Sequence, residues 1–228
     1  MSVLAVISAR GGSKRIPHKN ILPLAEKPMI AWTIESALQA VGLSRVIVST
    51  DDAEIAKISQ QLGAEVPFLR PAELASDSAT SVDVVLHVLD WLLQNGEPLP
   101  LFILLLQPTS PLRTAHDINA SLALQKEKNA SAVVSVCESG HSLSTLKRMI
   151  SSGEMLPVSV DNPSERIFQL NGAIYLVSTD VFMKEKTFTP GNCFAYVMPQ
   201  ERSLDVDTPW DFHMADLVLK DKYVASPA

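Results

Sequence analysis

A chain of 228 residues with 46% hydrophobic side chains, a formal net charge of -6 and a mean hydropathy of +0.15 holds enough apolar material for one sizeable core. The acidic balance excludes a nucleic-acid surface, because gripping a phosphate backbone calls for a basic face or stripe, so any phosphate binding must be local. Cys137 and Cys193, without a short C-x-x-C spacing or paired histidines, give neither a disulfide framework nor a zinc site.

The apolar stretch before Arg10 is too short for the hydrophobic region of a leader and has no basic residues ahead of it. The longest apolar run, Leu99 to Leu106, carries Pro100 and falls far short of the ~20 residues a membrane span needs. A soluble, cytoplasmic protein with no membrane or nucleic-acid partner is expected.

Short β-branched or leucine-rich runs alternate with amphipathic stretches, the pattern of βα units feeding a largely parallel sheet buried on both faces. Val3 to Ser8 reads as the first strand. Pro28 to Val41 reads as a helix with proline in its first turn and Gly42 just past its end. Arg45 to Ser49 is the second strand, and Asp51 or Asp52 caps a helix that runs to about Leu62, stopped by Gly63 before a short strand, Glu65 to Phe68. Ser81 to Gln94 carries Val82, Val85, Leu86, Leu89 and Leu93 at helical spacing, and Leu101 to Leu106 is the apolar central strand. A helix near Ala115 to Lys126 and a strand Ser131 to Val136 follow. From Glu138 to Gln169 the periodicity is lost and Gly, Ser, Pro and charge accumulate, which predicts an insertion. Strands at Ala173 to Val177 and Phe194 to Met198, then a helix from Pro209 to Leu219, complete one domain without internal repeats.

Two constellations carry chemistry. The first strand empties into ARGGSKRIPHKN, Ala9 to Asn20, where adjacent glycines let backbone N–H groups approach an anion and Arg10, Lys14 and Lys19 offset a triphosphate's charge from several sides. Most charge clusters are solvated loops, but this one leaves the carboxyl end of a strand, where open α/β sheets bind ligands. It is neither a Walker loop nor a dinucleotide fingerprint. The second is RSLDVDTPWDF, in which Asp205 and Asp207 share one face if the segment is extended. A carboxylate pair of that kind suits Mg²⁺, which takes oxygen ligands and bridges to substrate phosphates; N-capping accounts for Asp207 before Thr208 and Pro209 but leaves Asp205 without a role.

With STDD at Ser49 to Asp52, FLRPAELASDSATS at Phe68 to Ser81, LLQPTSPLR at Leu105 to Arg113 and NGAIY at Asn171 to Tyr175, these segments resemble, in order and across nearly the whole chain, the acylneuraminate cytidylyltransferase family, the CMP-sialic acid synthetases. The resemblance implies a Rossmann-like nucleotidyltransferase fold of the α/β class, its mostly parallel sheet flanked by helices, with a dimerisation arm at 138–170 that makes a homodimer. It implies transfer of CMP from CTP to the anomeric hydroxyl of an acidic nine-carbon sugar with Mg²⁺. Arg10, Lys14 and Lys19 would hold the phosphates, with Ala9, Gly11 and Ser13 among the nucleotide-binding residues and Asn20, Arg70 and Ser81 around the cytidine. Gln107 and Asn171 would contact the sugar, Asp205 and Asp207 the metal, and Arg10, Lys14 and Asp207 would be catalytic.

The chain departs from the family at Arg15, where glycine is frequent, at Gln169, where an arginine often precedes Asn-Gly-Ala, and at Ser144, where some relatives carry lysine. Lys147 or Arg166 would then supply charge for the sugar carboxylate, and a legionaminate or pseudaminate type of sugar stands beside the sialic type. The alternatives are an eight-carbon ulosonic acid or a neutral sugar phosphate as substrate, a non-catalytic nucleotide-sugar-binding protein, and a glycosyltransferase with an Asp-x-Asp site.

Overall fold

The computed structural model describes residues 2–140, 145–158 and 166–221. Strand β1 (Val3–Ser8) alternates its side chains between two apolar layers. Val3, Ala5 and Ile7 face one, Leu4 and Val6 the other. The same split recurs on β4 (Arg45–Ser49) and β5 (Phe102–Leu106), which flank β1 in parallel. Between β1 and β4 lie the two-residue antiparallel strands β2 (Pro23–Leu24) and β3 (Lys27–Pro28) and helix α1 (Met29–Gln39), with Pro28 at its N-cap.

Helix α2 (Ala53–Gln61) begins where Asp52 accepts hydrogen bonds from the N–H groups of Glu54 and Ile55, so of the two expected caps the second is used. The strand expected at Glu65 to Phe68 is a single bridge, Ile47 with Glu65. Pro67 has no N–H to extend that ladder, and the chain turns instead so that the Arg70 N–H reaches the Thr50 carbonyl at 2.7 Å. Helices α3 (Ser81–Gln94) and α4 (Ala115–Lys128) each open on a threonine capping box closed by aspartate, Thr80 with Asp83 and Thr114 with Asp117.

Strand β6 (Ala132–Glu138) leads into a hairpin of β7 (Lys147–Met149) and β8 (Met155–Pro157), inside the stretch expected to be an insertion. His141 to Ser144 of that stretch lie outside the described residues, as do residues 159–165. Strand β9 (Phe168–Ser178) starts five residues before the expected point and runs antiparallel between β5 and β6. Helix α5 (Thr179–Glu185), strand β10 (Cys193–Val197) and helix α6 (Pro209–Lys220) complete the chain. Helix α5 was not expected, because seven residues are too few to register a helical period.

The sheet order is β10-β6-β9-β5-β1-β4, parallel except at β9. Helices α1 and α4 cover one face, α3 and α5 the other. Leu104 is fully buried on a central strand, so Leu104→Ala should cost about 2–5 kcal/mol, read by urea unfolding. A loss under about 1 kcal/mol would contradict burial between two helix layers. No described helix is long and apolar enough to cross a membrane.

Candidate active site

Strands β1, β4 and β5 point the same way, so the loops that follow them emerge along one edge of the sheet. The Ala9 to Asn20 loop is held there by backbone contacts. The Ala9 N–H donates to the Ser49 carbonyl at 3.0 Å, the Gly11 N–H to Asp51 Oδ1 at 3.1 Å, and buried Asn20 donates through Nδ2 to the Arg10 carbonyl at 2.9 Å. Gly11 is required sterically, since a Cβ on it would stand 2.6 Å from Asp52 Oδ2.

A third, smaller core brings the two ends of the chain together. Ile16 of the basic loop, Leu24, Met29, Ala215 of α6 and Val206 pack as one cluster. Val206 is fully buried, and its extended neighbours Asp205 and Asp207 are exposed, the alternation expected of that segment. Lys19 seals the junction: its Nζ donates to the Val206 carbonyl at 2.8 Å and lies 3.4 Å from Asp207 Oδ1. The basic loop and Asp207 thus line one cavity of about 330 Å³, with Arg10, Ser13, Lys14 and Lys19 on its wall.

A second cavity of about 300 Å³ shares Arg10, Ser13 and Lys19 and extends past Asn20, Arg70, Ser81, Gln107 and Thr109. Arg70 is 4% exposed, with Nη1 donating to Ser8 Oγ at 2.9 Å and Nη2 3.6 Å from Asp51, while its Nε has no partner. Burial drives its pKa down, against the opposing pull of Asp51. An incompletely satisfied buried guanidinium beside a cavity favours an acceptor-rich ligand. Gln107 and Asp205 converge on Gly172, whose φ of 75° suits glycine; a Cβ there would stand 3.0 Å from Gln107 Oε1 and 3.5 Å from Asp205 Oδ2.

Asn171 stands apart from its expected role. It is buried, its Oδ1 accepting from Ser135 Oγ at 2.6 Å and its Nδ2 donating to Ser203 Oγ at 2.9 Å, so its amide is engaged within the fold. Arg166 pairs with Glu138 at 2.8 Å. Asp77, within FLRPAELASDSATS, pairs with Arg10 at 3.0 Å and with Lys14, whose hydrogen bond holds its carboxyl below the usual carboxylate range, a role the sequence did not signal. Asp51, which accepts the Gly11 N–H of the basic loop, was also given no role; its sequence signals were the STDD segment and a second acid beside the cap.

Among the described residues no three His, Cys, Asp or Glu side chains form a metal cage. Mg²⁺ asks for less, binding through one or two carboxylates with water and substrate phosphates filling its other positions. The all-oxygen pair Asp205 and Asp207 fits that demand, and the absent Cβ at Gly172 keeps space open beside Asp205. Although Asp205 is exposed as a residue, partial desolvation of its carboxyl pushes its pKa up; a hydrogen bond from Thr109 opposes the shift, and Asp207 adds to it. The amide in Asp205→Asn removes that desolvation and repulsion, so its Tm at neutral pH should match or exceed wild type while turnover falls on the order of 10²–10³. A variant with unchanged turnover would remove Asp205 from the site.

A basic loop at the carboxyl edge of a mostly parallel sheet, with Asp207 lining the same cavity, is an arrangement suited to an α/β enzyme that works on nucleotide phosphates. Residues 4–201 match the family model described as cytidylyltransferase. The chain is 35% identical over 232 residues to a CMP-N,N'-diacetyllegionaminic acid synthase of Legionella pneumophila, covering 96% of this chain and 97% of that one. It is 34% identical over 226 residues to an N-acylneuraminate cytidylyltransferase of Escherichia coli O18:K1:H7, covering 96% of this chain but 52% of that relative, about half its length. A solved CMP:2-keto-3-deoxy-manno-octonic acid synthetase in complex with CTP shares the fold, with a TM-score of 0.72 at 20% identity over 97% of this chain and 100% of that one. The chain belongs to the cytidylyltransferase family.

Proposed function

We propose that this protein transfers CMP from CTP to the anomeric hydroxyl of a nonulosonic acid, an acidic nine-carbon sugar, and releases pyrophosphate. The observation that carries this reading is the cavity lined by Arg10, Lys14, Lys19, Asp77 and Asp207, in which cations and two carboxylates line the same space. The named activities of the Legionella and Escherichia relatives support it.

In this reading Arg10, Lys14 and Lys19 bind the triphosphate, Ala9, Gly11 and Ser13 shape the turn around it, and Asn20, Arg70 and Ser81 surround the cytidine. Mg²⁺ held by Asp205 and Asp207 would supply charge neutralisation at the phosphates. The sugar hydroxyl oxygen forms a bond to the α-phosphorus as the bond from that phosphorus to the bridging oxygen breaks, and pyrophosphate takes that electron pair. Arg10 and Lys14 offset the negative charge that develops there, after Asp77 has given up its ion pairs with them. Gln107 orients the sugar, and Asn171 supports that end of the pocket from beneath. The proton of the hydroxyl passes to water. Catalysis then rests on alignment and charge rather than on a general base.

The protein works in the cytoplasm as a homodimer joined through the 138–170 arm, where Met149 and Met155 stand 73% and 69% exposed on β7 and β8. Incubation with CTP, Mg²⁺ and a panel of legionaminate, pseudaminate, N-acetylneuraminate and an eight-carbon ulosonic acid tests the activity. A CMP adduct of a nine-carbon acid, read by mass, is expected. An adduct of the eight-carbon acid alone would replace the reading with its alternative.

A further inference from the structure

Asp117, in the first turn of α4, is fully buried, and its carboxylate accepts far more than a helix cap supplies. Thr114 uses Oδ2 alone, donating through its N–H at 2.9 Å and its hydroxyl at 2.8 Å. Arg202 adds a fork, Nε to Oδ2 at 3.2 Å and Nη2 to Oδ1 at 2.8 Å, and the Tyr196 hydroxyl donates to Oδ1 at 3.0 Å. The equivalent capping aspartates of α3 and α6, Asp83 and Asp211, show no arginine fork among the described contacts.

Arg202, on Asp117, and Arg113, whose charge Asp117 favours, lie in two different loops of the site. Arg113 closes the Gln107 loop and is 2% exposed. Its Nη1 donates to the Gln107 carbonyl at 3.3 Å and to the Ala173 carbonyl at 2.9 Å, while Nε and Nη2 find no partner. Burial pushes its pKa down to about 9, and the charge of Asp117 opposes that shift. Arg202 opens the segment that carries Asp205 and Asp207, and its pKa is raised by its hydrogen bond to Asp117. The two loops meet directly further on, where the Val206 N–H donates to the Thr109 carbonyl at 2.7 Å.

We propose that Asp117 is a positioning residue: through its fork with Arg202 it ties the first turn of α4, which follows the Gln107 loop, to the Asp205 and Asp207 segment and so fixes where the metal-bound phosphates sit relative to the sugar. This rests on the metal-dependent reading above. Removing the lock leaves every residue that touches CTP in place but lets the aspartates drift.

Mn²⁺ binding to the enzyme with saturating CTP, followed by electron paramagnetic resonance, tests this alongside CTP binding in EDTA and Tm. Arg202→Lys keeps the charge and loses the fork; Asp117→Asn keeps a capping oxygen and loses the charge. Each should weaken Mn²⁺ binding by about tenfold or more, as when an outer partner of a metal ligand is lost, with CTP binding in EDTA unchanged. A purely structural role would lower Tm and leave Mn²⁺ affinity alone, which would overturn the proposal; if Asp117→Asn fails to fold, Arg202→Lys decides. Asp207→Ala is the control. If it binds Mn²⁺ as wild type does, the metal reading itself fails, whereas weak binding there with wild-type affinity in Arg202→Lys overturns only the role of Asp117.

Discussion

Asp207→Ala is expected to lower turnover by a factor on the order of 10²–10³, the loss that follows removal of one preorganised electrostatic contact in a reaction governed by charge. Its effect on folding should be small. The side chain is 56% exposed, and its ion pair with Lys19 at 3.4 Å is of the exposed kind worth about 1 kcal/mol or less. Lys19 keeps its hydrogen bond to the Val206 carbonyl, and Val206 keeps its place in the small core, so the segment stays docked. The assay is pyrophosphate release at saturating CTP and sugar, with a thermal melt beside it. Full activity in a folded Asp207→Ala enzyme would remove this carboxylate from the mechanism.

Gly11→Ala should damage the enzyme from the other side of the cavity. The added Cβ would lie 2.6 Å from Asp52 Oδ2 and 2.9 Å from Asp52 Cβ, and Asp52 is not free to yield. Its Oδ1 caps α2 by accepting from Glu54 and Ile55 at 2.8 and 3.1 Å. Either the cap is lost, at about 1 kcal/mol, or the basic loop moves off the strand end. A shift near 1 Å in a positioning loop is worth roughly 10² in kcat/KM. Gly12→Ala is the matched control, since nothing lies within 4 Å of its Cβ, and its stability should stay within about 0.5 kcal/mol of wild type. Equal kinetics for the two variants would show that the Gly11 approach to Asp52 does not set the loop.

The sheet was legible because its strands advertise themselves. Val3 to Ser8 and Phe102 to Leu106 are apolar on both faces, and no helix of that length fits between the flanking glycines and prolines. Helix α3 carried a helical period and α6 an early proline, although the cap of α6 is Thr208 rather than the Asp207 that the sequence offered. What stayed hidden is tertiary. The reversal of β9 between β5 and β6 leaves no local mark, because an apolar strand reads alike in either direction. Its early start at Phe168 was masked by exposed Gln169 and by Asn171, a polar residue whose burial is justified by partners such as Ser135 and Ser203.

The site divides along the same line. Arg10, Lys14, Lys19 and Asp207, singled out from composition and position, line one cavity of the structure. Residues whose charge is spent inside the protein were not singled out. Asp117 reads as an ordinary capping aspartate until the Arg202 fork on it is seen, and Asp51 reads as a rival cap until Gly11 is seen donating to it. Asn171 errs in the opposite sense: a polar residue in a motif suggests contact with substrate, and its amide turns out to be tied to Ser135, Met198 and Ser203.

The most direct test is diffraction from crystals grown with CTP and Mn²⁺, using the anomalous signal of manganese to locate the ion. The ion should sit within about 2.3 Å of oxygens from Asp205 or Asp207, with the triphosphate extending from it toward Arg10, Lys14 and Lys19. Manganese and triphosphate found on any other face of the protein, with both aspartates bare, would contradict a shared grip by the two ends of the chain.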